Sequence, residues 1–168
     1  MVIFRYLGKD EFNKFSDILF DIMHKNMQLI APTGKTYEDD YLFWCKIMRE
    51  EISNDSRHII LAIEEDTQTI VGFFQYVTNE DILVMEQIQI IPAHQGENGV
   101  FRGFYDFLLS KLKDIPIYVE ANADKRNQKS VGILNKLGLS VIGENKTGIS
   151  FRFRGEYEEF LKWYKGIQ

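Results

Sequence analysis

The sequence predicts an α/β (α+β) fold in a single domain spanning residues 1–168, and three observations carry that prediction. A chain of 168 residues is long enough for one sizeable core and short for two. Apolar residues recur at helical spacing in some windows and form short β-branched or aromatic runs in others. The two kinds of window are interleaved along the chain, in the order β-α-α-β-β-β-α-β-α-β-β, with no internal repeat and no linker.

Each element has its own signal. VIFRYLG (Val2–Gly8) reads as a first strand closed by Gly8. Asp10 is a cap candidate for the first helix, because Phe12, Phe15, Ile18, Leu19, Ile22 and Met23 follow at helical spacing. Pro32 and Gly34 mark a loop, and a second helix is expected from Tyr37 to Ile52 with Tyr41, Trp44, Cys45, Ile47 and Met48 on its apolar side. HIILAIEE (His58–Glu65) and TIVGFFQYV (Thr69–Val77) flank a polar turn and read as a hairpin. DILVMEQIQII is a third strand of this group and ends at Pro92. A helix from Gly99 to Leu112, the strand IPIYVEAN, the helix NQKSVGILNKLG with Gly138 at its C-cap, the strands LSVIGE and GISFRFRGEY, and a short terminal helix complete the chain.

Composition narrows the function. A chain 45% hydrophobic and 27% charged, without a Pro/Ser/Gly-rich tract, is an ordinary globular chain and not a disordered one. A formal net charge of −5 argues against a protein built to grip a phosphate backbone, since such domains carry a basic face, so no nucleic-acid partner is expected. No apolar run approaches the length that spans a bilayer, so no membrane partner is expected either. Cys45 is the single cysteine and cannot form an internal disulfide, and no cleavable apolar leader is evident, which makes the cytoplasm the expected compartment. A monomer or a homodimer is expected.

IPAHQGENGVFRGFYDFLL (Ile91–Leu109) carries the chemistry. A strand that feeds a helix through glycines gathers backbone N–H groups at the positive end of the helix dipole, a place that favours an anion such as a phosphate. The same glycines, Gly96 and Gly99, also serve a plain strand-to-helix turn, and the residues alone leave both readings open.

Two stretches resemble the GNAT superfamily of N-acetyltransferases. IQIIPAHQGENGVFRGFYDFL is similar to its acetyl-coenzyme A signature, strand-V-x-P-x-x-(Q/R)-G-x-G-(I/V)-G and a helix. Ile90, Pro92, Gln95, Gly96, Gly99 and Val100 fill that pattern when Glu97-Asn98 is read as one residue more than usual, and Phe101 stands at the final glycine. NQKSVGILNKLGLSVIGE is similar to N-x-x-(S/A)-(I/V)-x-(L/F)-Y-x-K-x-G-F-x-x-x-G, matching at Asn127, Ser130, Val131, Ile133, Lys136, Gly138 and, conservatively, Leu139, with Leu134 at the tyrosine position. The order of elements also agrees with that superfamily. The resemblance implies a mixed, mostly antiparallel sheet flanked by helices, with acetyl-coenzyme A (acetyl-CoA) as cosubstrate and direct transfer of the acetyl group to a primary amine of a small molecule or peptide.

On this resemblance the cofactor-binding candidates are Ile90, Ile91, Gln95, Gly96, Glu97, Asn98, Gly99, Val100, Phe101, Arg102, Asn127, Ser130 and Lys136. The N–H groups from Gln95 to Val100 would face the pyrophosphate, and Ile88–Ile91 would offer a strand edge to the pantetheine arm. Arg102 either pairs with a phosphate or is solvated. The acceptor amine must lose a proton, and Glu86, in phase with Ile88 and Ile90, is the first candidate base; Glu120 is the second. Either is also readable as an ordinary surface carboxylate. Leucine at position 134 cannot protonate the thiolate, so Tyr118 or Tyr157, or water, is expected there. The alternative is a non-catalytic acyl-CoA-binding or regulatory module on the same fold.

Other motifs fail. PTGKT lacks the glycine that a phosphate loop needs five residues before Gly34, where Leu29 stands. His24, His58 and His94 have no metal-ligand partner at helical spacing, so no metal is expected. Cys45, among Trp44, Ile47 and Met48, reads as a small core residue. The acidic cluster Glu38, Asp39 and Asp40 either attracts a cationic amine or complements a helix N-terminus.

Overall fold

In the computed structural model, which describes residues 1–96 and 99–166, the elements follow the expected order. They are β1 (Val2–Tyr6), α1 (Phe12–Gln28), α2 (Tyr37–Ile52), β2 (Arg57–Glu64), β3 (Thr69–Asn79), β4 (Ile82–Ile90), α3 (Val100–Lys111), β5 (Tyr118–Asp124), α4 (Gln128–Lys136), β6 (Ser140–Glu144), β7 (Ser150–Glu156) and α5 (Tyr157–Gly166). The seven strands form one sheet in the order β1-β2-β3-β4-β5-β7-β6. It is mixed and mostly antiparallel: β1/β2, β5/β7 and β6/β7 run antiparallel, while β4 and β5 pair in parallel from Ile82↔Tyr118 to Met85↔Ala121. No helix of the described residues is long and apolar enough to cross a membrane.

The chain divides into two compact units, Met1–Gln75 with Gln87–Lys113, and Tyr76–Glu86 with Asp114–Gln168. In the first, Phe12, Leu19, Ile22 and Met48 of α1 and α2 cluster with Ile59, Leu61, Ile63 and Phe73 of β2 and β3. Side chains alternate across a strand, so Ile60, Ala62 and Phe74 are buried on the other face. That face carries α3: the Phe104 ring stands 5.3 Å from Phe4 and 6.0 Å from Phe74. Cys45 is buried as the core residue expected. The second unit buries Val119, Ala121, Leu137, Leu139, Phe153, Tyr157 and Phe160.

Three local expectations need correction. β1 stops at Tyr6 and not at Gly8, because the chain turns there into a short 3-10 segment, Lys9–Glu11. Asp10 is not the cap of that turn: Glu11 reaches back to accept from the Gly8 N–H at 2.7 Å while pairing with Arg5 at 2.8 Å. β5 begins at Tyr118, later than the apolar run IPI suggested. The Ile117 and Tyr118 amides both donate to the Asp81 carbonyl, and Ile115 and Ile117 remain exposed. α2 has the expected bounds, with the Thr36 hydroxyl accepting from the Asp39 N–H at 3.1 Å.

Candidate functional site

The first unit assembles the turn from the strand outward. The Ile91 N–H makes a bond to the Val71 carbonyl at 2.9 Å, and Pro92, without an N–H, opens a 3-10 turn through His94. The Ile90 carbonyl, at the end of β4, accepts from two side-chain amides, Asn26 Nδ2 at 3.0 Å and Gln95 Nε2 at 2.8 Å. Gly96 and Gly99 both adopt left-handed backbone, with φ of 79° and 73°, a conformation that costs glycine no Cβ clash. A Cβ built on either would meet nothing within 4 Å, so the main chain there has open space beside it.

Gly99 is the N-cap of α3, and the first helical bond runs from the Gly103 N–H to the Gly99 carbonyl at 2.8 Å. The amides of Val100, Phe101 and Arg102 therefore precede the helical ladder. The first turn of α3 holds no acidic side chain, whereas that of α2 holds Glu38, Asp39 and Asp40. The positive end of the α3 dipole is thus left for an anion to complement. The helix is seated by a close approach: a Cβ on Gly103 would run into the tip of the Phe4 ring.

The sequence-predicted residues distribute unevenly over this frame. Gln95 uses its side chain to hold Ile90 and its N–H to reach the Pro92 carbonyl at 3.2 Å, so that amide is turned into the 3-10 segment and away from the expected cradle. Glu97 and Asn98 lie outside the described residues. Phe101, at the usual glycine position, stacks edge-on against Tyr105 at 5.1 Å, along its own helix. Arg102 Nε lies 3.9 Å from Asp106 Oδ1, one turn on.

Along β4 the alternation is resolved by partners. Gln87 Nε2 donates to Gln75 Oε1 at 3.1 Å, Gln75 Nε2 donates to Glu51 Oε2 at 2.8 Å, and Asn26 Nδ2 donates to Gln89 Oε1 at 3.1 Å. The glutamines thus face α1 and α2, and Glu86, Ile88 and Ile90 take the opposite face. Ile90 is buried, while Glu86 and Ile88 are half-buried.

In the second unit Glu120 is engaged by Arg154, whose Nε donates to its carboxylate at 2.7 Å and whose Nη2 donates to the same oxygen. The guanidinium also lies over the Tyr118 ring, 4.9 Å from its centroid. Asn127 caps α4 by accepting from the Ser130 N–H at 3.1 Å, and Lys136 sits exposed in the last turn, where a cation suits the helix dipole. Leu134 is buried. Tyr118 is partly exposed and Tyr157 buried, with burial raising the Tyr157 pKa, so its phenol stays protonated at neutral pH. Among the described residues no group of three or more His, Cys, Asp or Glu side chains is placed to hold a metal ion.

Sequence reasoning did not find a cavity between α1 and α2, lined by Phe20, Met23, Met27, Phe43, Trp44 and Ile47 among others. The recurrence of Phe20, Met23 and Met27 at helical spacing was a signal for it, but a core stripe has the same pattern.

No protein-family model and no curated protein sequence matches the chain. Solved structures do. An acetyltransferase from Thermus thermophilus superposes with a TM-score of 0.69 at 15% identity, over 93% of this chain and 97% of that one. The PaiA N-acetyltransferase from Thermoplasma acidophilum, in complex with coenzyme A, gives 0.68 at 14% over 94% and 99%. Spermidine N-acetyltransferase from Vibrio cholerae, in complex with CoA and spermine, gives 0.59 at 13% over 95% and 98%.

Proposed function

We propose, from the GNAT acetyltransferase fold that this chain has, that it is an acetyl-CoA-dependent N-acetyltransferase acting on a primary amine. The observation that carries the reading is the Gly96–Gly99 turn. Two left-handed glycines with open space beside them lead into an α3 N-terminus that has no acidic side chain in its first turn. That arrangement fits a pyrophosphate, which is bulky and needs both close approach and N–H donors.

Acetyl-CoA supplies the acetyl group as a thioester: the amine nitrogen forms a bond to the carbonyl carbon, the C–S bond breaks, and the thiolate takes a proton. The amides of Val100, Phe101 and Arg102 hold the pyrophosphate, and the main chain of β4 at Ile88, ahead of the Ile90 carbonyl that Asn26 and Gln95 occupy, offers its groups to the pantetheine arm. Glu86 accepts the proton that the amine loses, directly or through water. Leu134 has no proton to give, and water protonates the departing sulfur. Asn127, Ser130 and Lys136 have the local roles of a capped helix and support the fold of the second unit.

The test is a melting curve with CoA, paired with thiol release from acetyl-CoA across an amine panel. A ligand that binds the folded state raises the melting temperature by mass action, and thiol release shows turnover. Millimolar CoA leaving the melting temperature unmoved overturns the reading. A second reading, an acyl-CoA-binding module without catalysis, is favoured by buried Leu134 at the usual tyrosine position. A CoA shift without thiol release for any amine would support it.

A further inference from the structure

Two hydrogen-bonded chains from the early helices fix the glutamines of β4 end for end. The Glu51 carboxylate, in the last turn of α2, is an acceptor. Gln75, buried on β3, therefore turns its Nε2 to it, at 2.8 Å, and its Oε1 away. Gln87 Nε2 donates to that oxygen at 3.1 Å, which leaves Gln87 Oε1 outward. The second chain starts at the Ile90 carbonyl, which can only accept. It takes Asn26 Nδ2 at 3.0 Å, and the same nitrogen donates to Gln89 Oε1 at 3.1 Å, which leaves Gln89 Nε2 outward. Each polarity is thus set by an end group that cannot be turned round.

Neither outward atom has a partner among the described residues. The Trp44 indole N–H is the one buried side-chain nitrogen or oxygen left without a partner among those residues, so both glutamine atoms are open to solvent. β3 flanks β4 on one side. The nitrogen and oxygen of an amide diverge, so with Gln87 Nε2 aimed at Gln75 the oxygen is turned toward the other edge of β4. On that edge the ladder to β5 ends at Met85. Ile88 stands between the two glutamines. Side chains from either face of a strand can reach a ligand laid along its edge, so the glutamines on one face and Glu86 on the other serve the same ligand without crossing the sheet.

We propose that Glu51 and Asn26 are positioning residues of the cofactor site: they set Gln87 Oε1 as an acceptor and Gln89 Nε2 as a donor for the two amides of the pantetheine arm. The identity of the ligand rests on the acetyltransferase reading; the polarity rests on the hydrogen bonds alone. The arm's amides stand a two-carbon spacer apart, roughly 5 Å along an extended chain. Residues 87 and 89 are roughly 6.6 Å apart along a strand, so each side chain can serve one amide. With the pyrophosphate at the Gly99 turn, beyond Ile90, the arm runs back along β4. Gln89 then donates to the carbonyl of the amide nearer the phosphates, and Gln87 accepts from the N–H of the amide nearer the sulfur. A Gln87 turned end for end would set donor against donor, and Glu51, through Gln75, prevents that turn.

The test titrates the full chain by calorimetry with CoA and with adenosine 3′,5′-bisphosphate, which keeps the nucleotide and has no arm. Gln87→Leu and Gln89→Leu are each expected to weaken CoA about three- to tenfold, the loss of one hydrogen bond, and to leave the bisphosphate unchanged. Glu51→Ala, which frees Gln75 and Gln87 to turn, is expected to weaken CoA by about as much as Gln87→Leu, and Glu51→Gln, whose side-chain oxygen still accepts from Gln75, to restore it. In the Gln87→Leu background Glu51→Ala is expected to cost no further CoA affinity, because Glu51 acts through Gln87. Met48→Ala is the control for stability alone: it opens a cavity in the core under the same helix and is expected to lower the melting temperature while the folded protein keeps its affinity for CoA. Equal CoA affinity in parent and glutamine variants, equal losses for both ligands, or additive losses for Glu51→Ala and Gln87→Leu overturn the proposal. Should Gln87→Leu fail to fold, Gln89→Leu and the Glu51 pair decide it by the same readings. CoA bound equally by parent and variants leaves the acetyltransferase reading standing, whereas a parent that binds no CoA overturns that reading and this proposal together.

Discussion

The side-chain amide of Gln95 donates to the main-chain carbonyl of Ile90 at 2.8 Å, so the residue that opens the glycine turn also fastens the end of the strand before it. Asn26 Nδ2 donates to the same oxygen at 3.0 Å. Each bond is worth about 1 kcal/mol net. Gln95→Ala is therefore expected to lower stability by about that much, and to weaken CoA several-fold as the turn loses its anchor. Because the two donors share one acceptor, the Asn26→Ala and Gln95→Ala effects should couple by about 0.5 kcal/mol or more. Urea denaturation of the single and double variants checks this; strict additivity would show that the shared carbonyl does not link them.

Gly99 decides whether the turn holds phosphate or only reverses the chain. Its φ is 73° and a Cβ there meets nothing within 4 Å. Gly99→Asp should therefore cost about 1–2 kcal/mol of backbone strain without a steric clash. The added carboxylate would stand beside the cofactor anion, and CoA affinity is expected to fall at least tenfold, about 1.4 kcal/mol. Gly138, with φ of 87° at the end of α4, is the control. Gly138→Asp should cost stability without a comparable loss of affinity in the folded protein. Titration of CoA into both variants separates the two roles, and unchanged affinity in Gly99→Asp would reduce QGENG to a turn.

The two carboxylates proposed as bases should part company. Glu86→Gln is expected to lower the acetylation rate by roughly 100-fold, the low end for loss of a general base, with CoA affinity nearly intact. Glu120→Gln breaks a partly exposed pair with Arg154, and should cost about 1 kcal/mol or less of stability with little effect on rate. Steady-state kinetics beside urea denaturation gives both readouts. A rate loss confined to Glu120→Gln would reverse the assignment.

His58 links stability to pH. Burial lowers its pKa, with Lys9 nearby adding to the effect, and its ring lies 5.4 Å from Tyr6. The folded chain thus keeps this imidazole neutral at pH values where the unfolded chain, titrating at about 6.5, takes up a proton. Its contribution is complete above that value and is lost as pH falls from about 6.5 toward the folded-state pKa. Denaturation at about pH 7.5 and about pH 5.5 should show a decline that is smaller in His58→Gln. An identical decline in the variant would assign the effect to other groups.

The fold was legible because each element carries its own period: the span Tyr37–Ile52 could be read directly from the apolar spacing of Tyr41, Trp44, Cys45, Ile47 and Met48. The misreadings arose where a contact, and not a pattern, sets the boundary. Glu11 displaces Asp10 as the capping group through a bond to Gly8, and Asp81 decides where β5 joins the sheet. In the site, the glycines and Pro92 were visible as punctuation. The partner of Glu120 was not, since Arg154 reaches it only through the register that sets the two opposite each other on β5 and β7. Gln95 resembles a ligand residue in sequence, and only the fold shows that its side chain is spent on Ile90.

Gly103 and Phe4 lie far apart in the chain, yet the ring tip occupies the place of a side chain at position 103. β1 therefore acts as a depth stop for α3. A one-residue slip of β1 against β2 would carry Phe4 to the other face of the sheet, and the helix would lose the surface on which it rests. The height of the Gly99 end is in this sense a gauge of the register of the first strand, so that affinity for CoA reports whether β1 has docked correctly as well as whether the turn is intact.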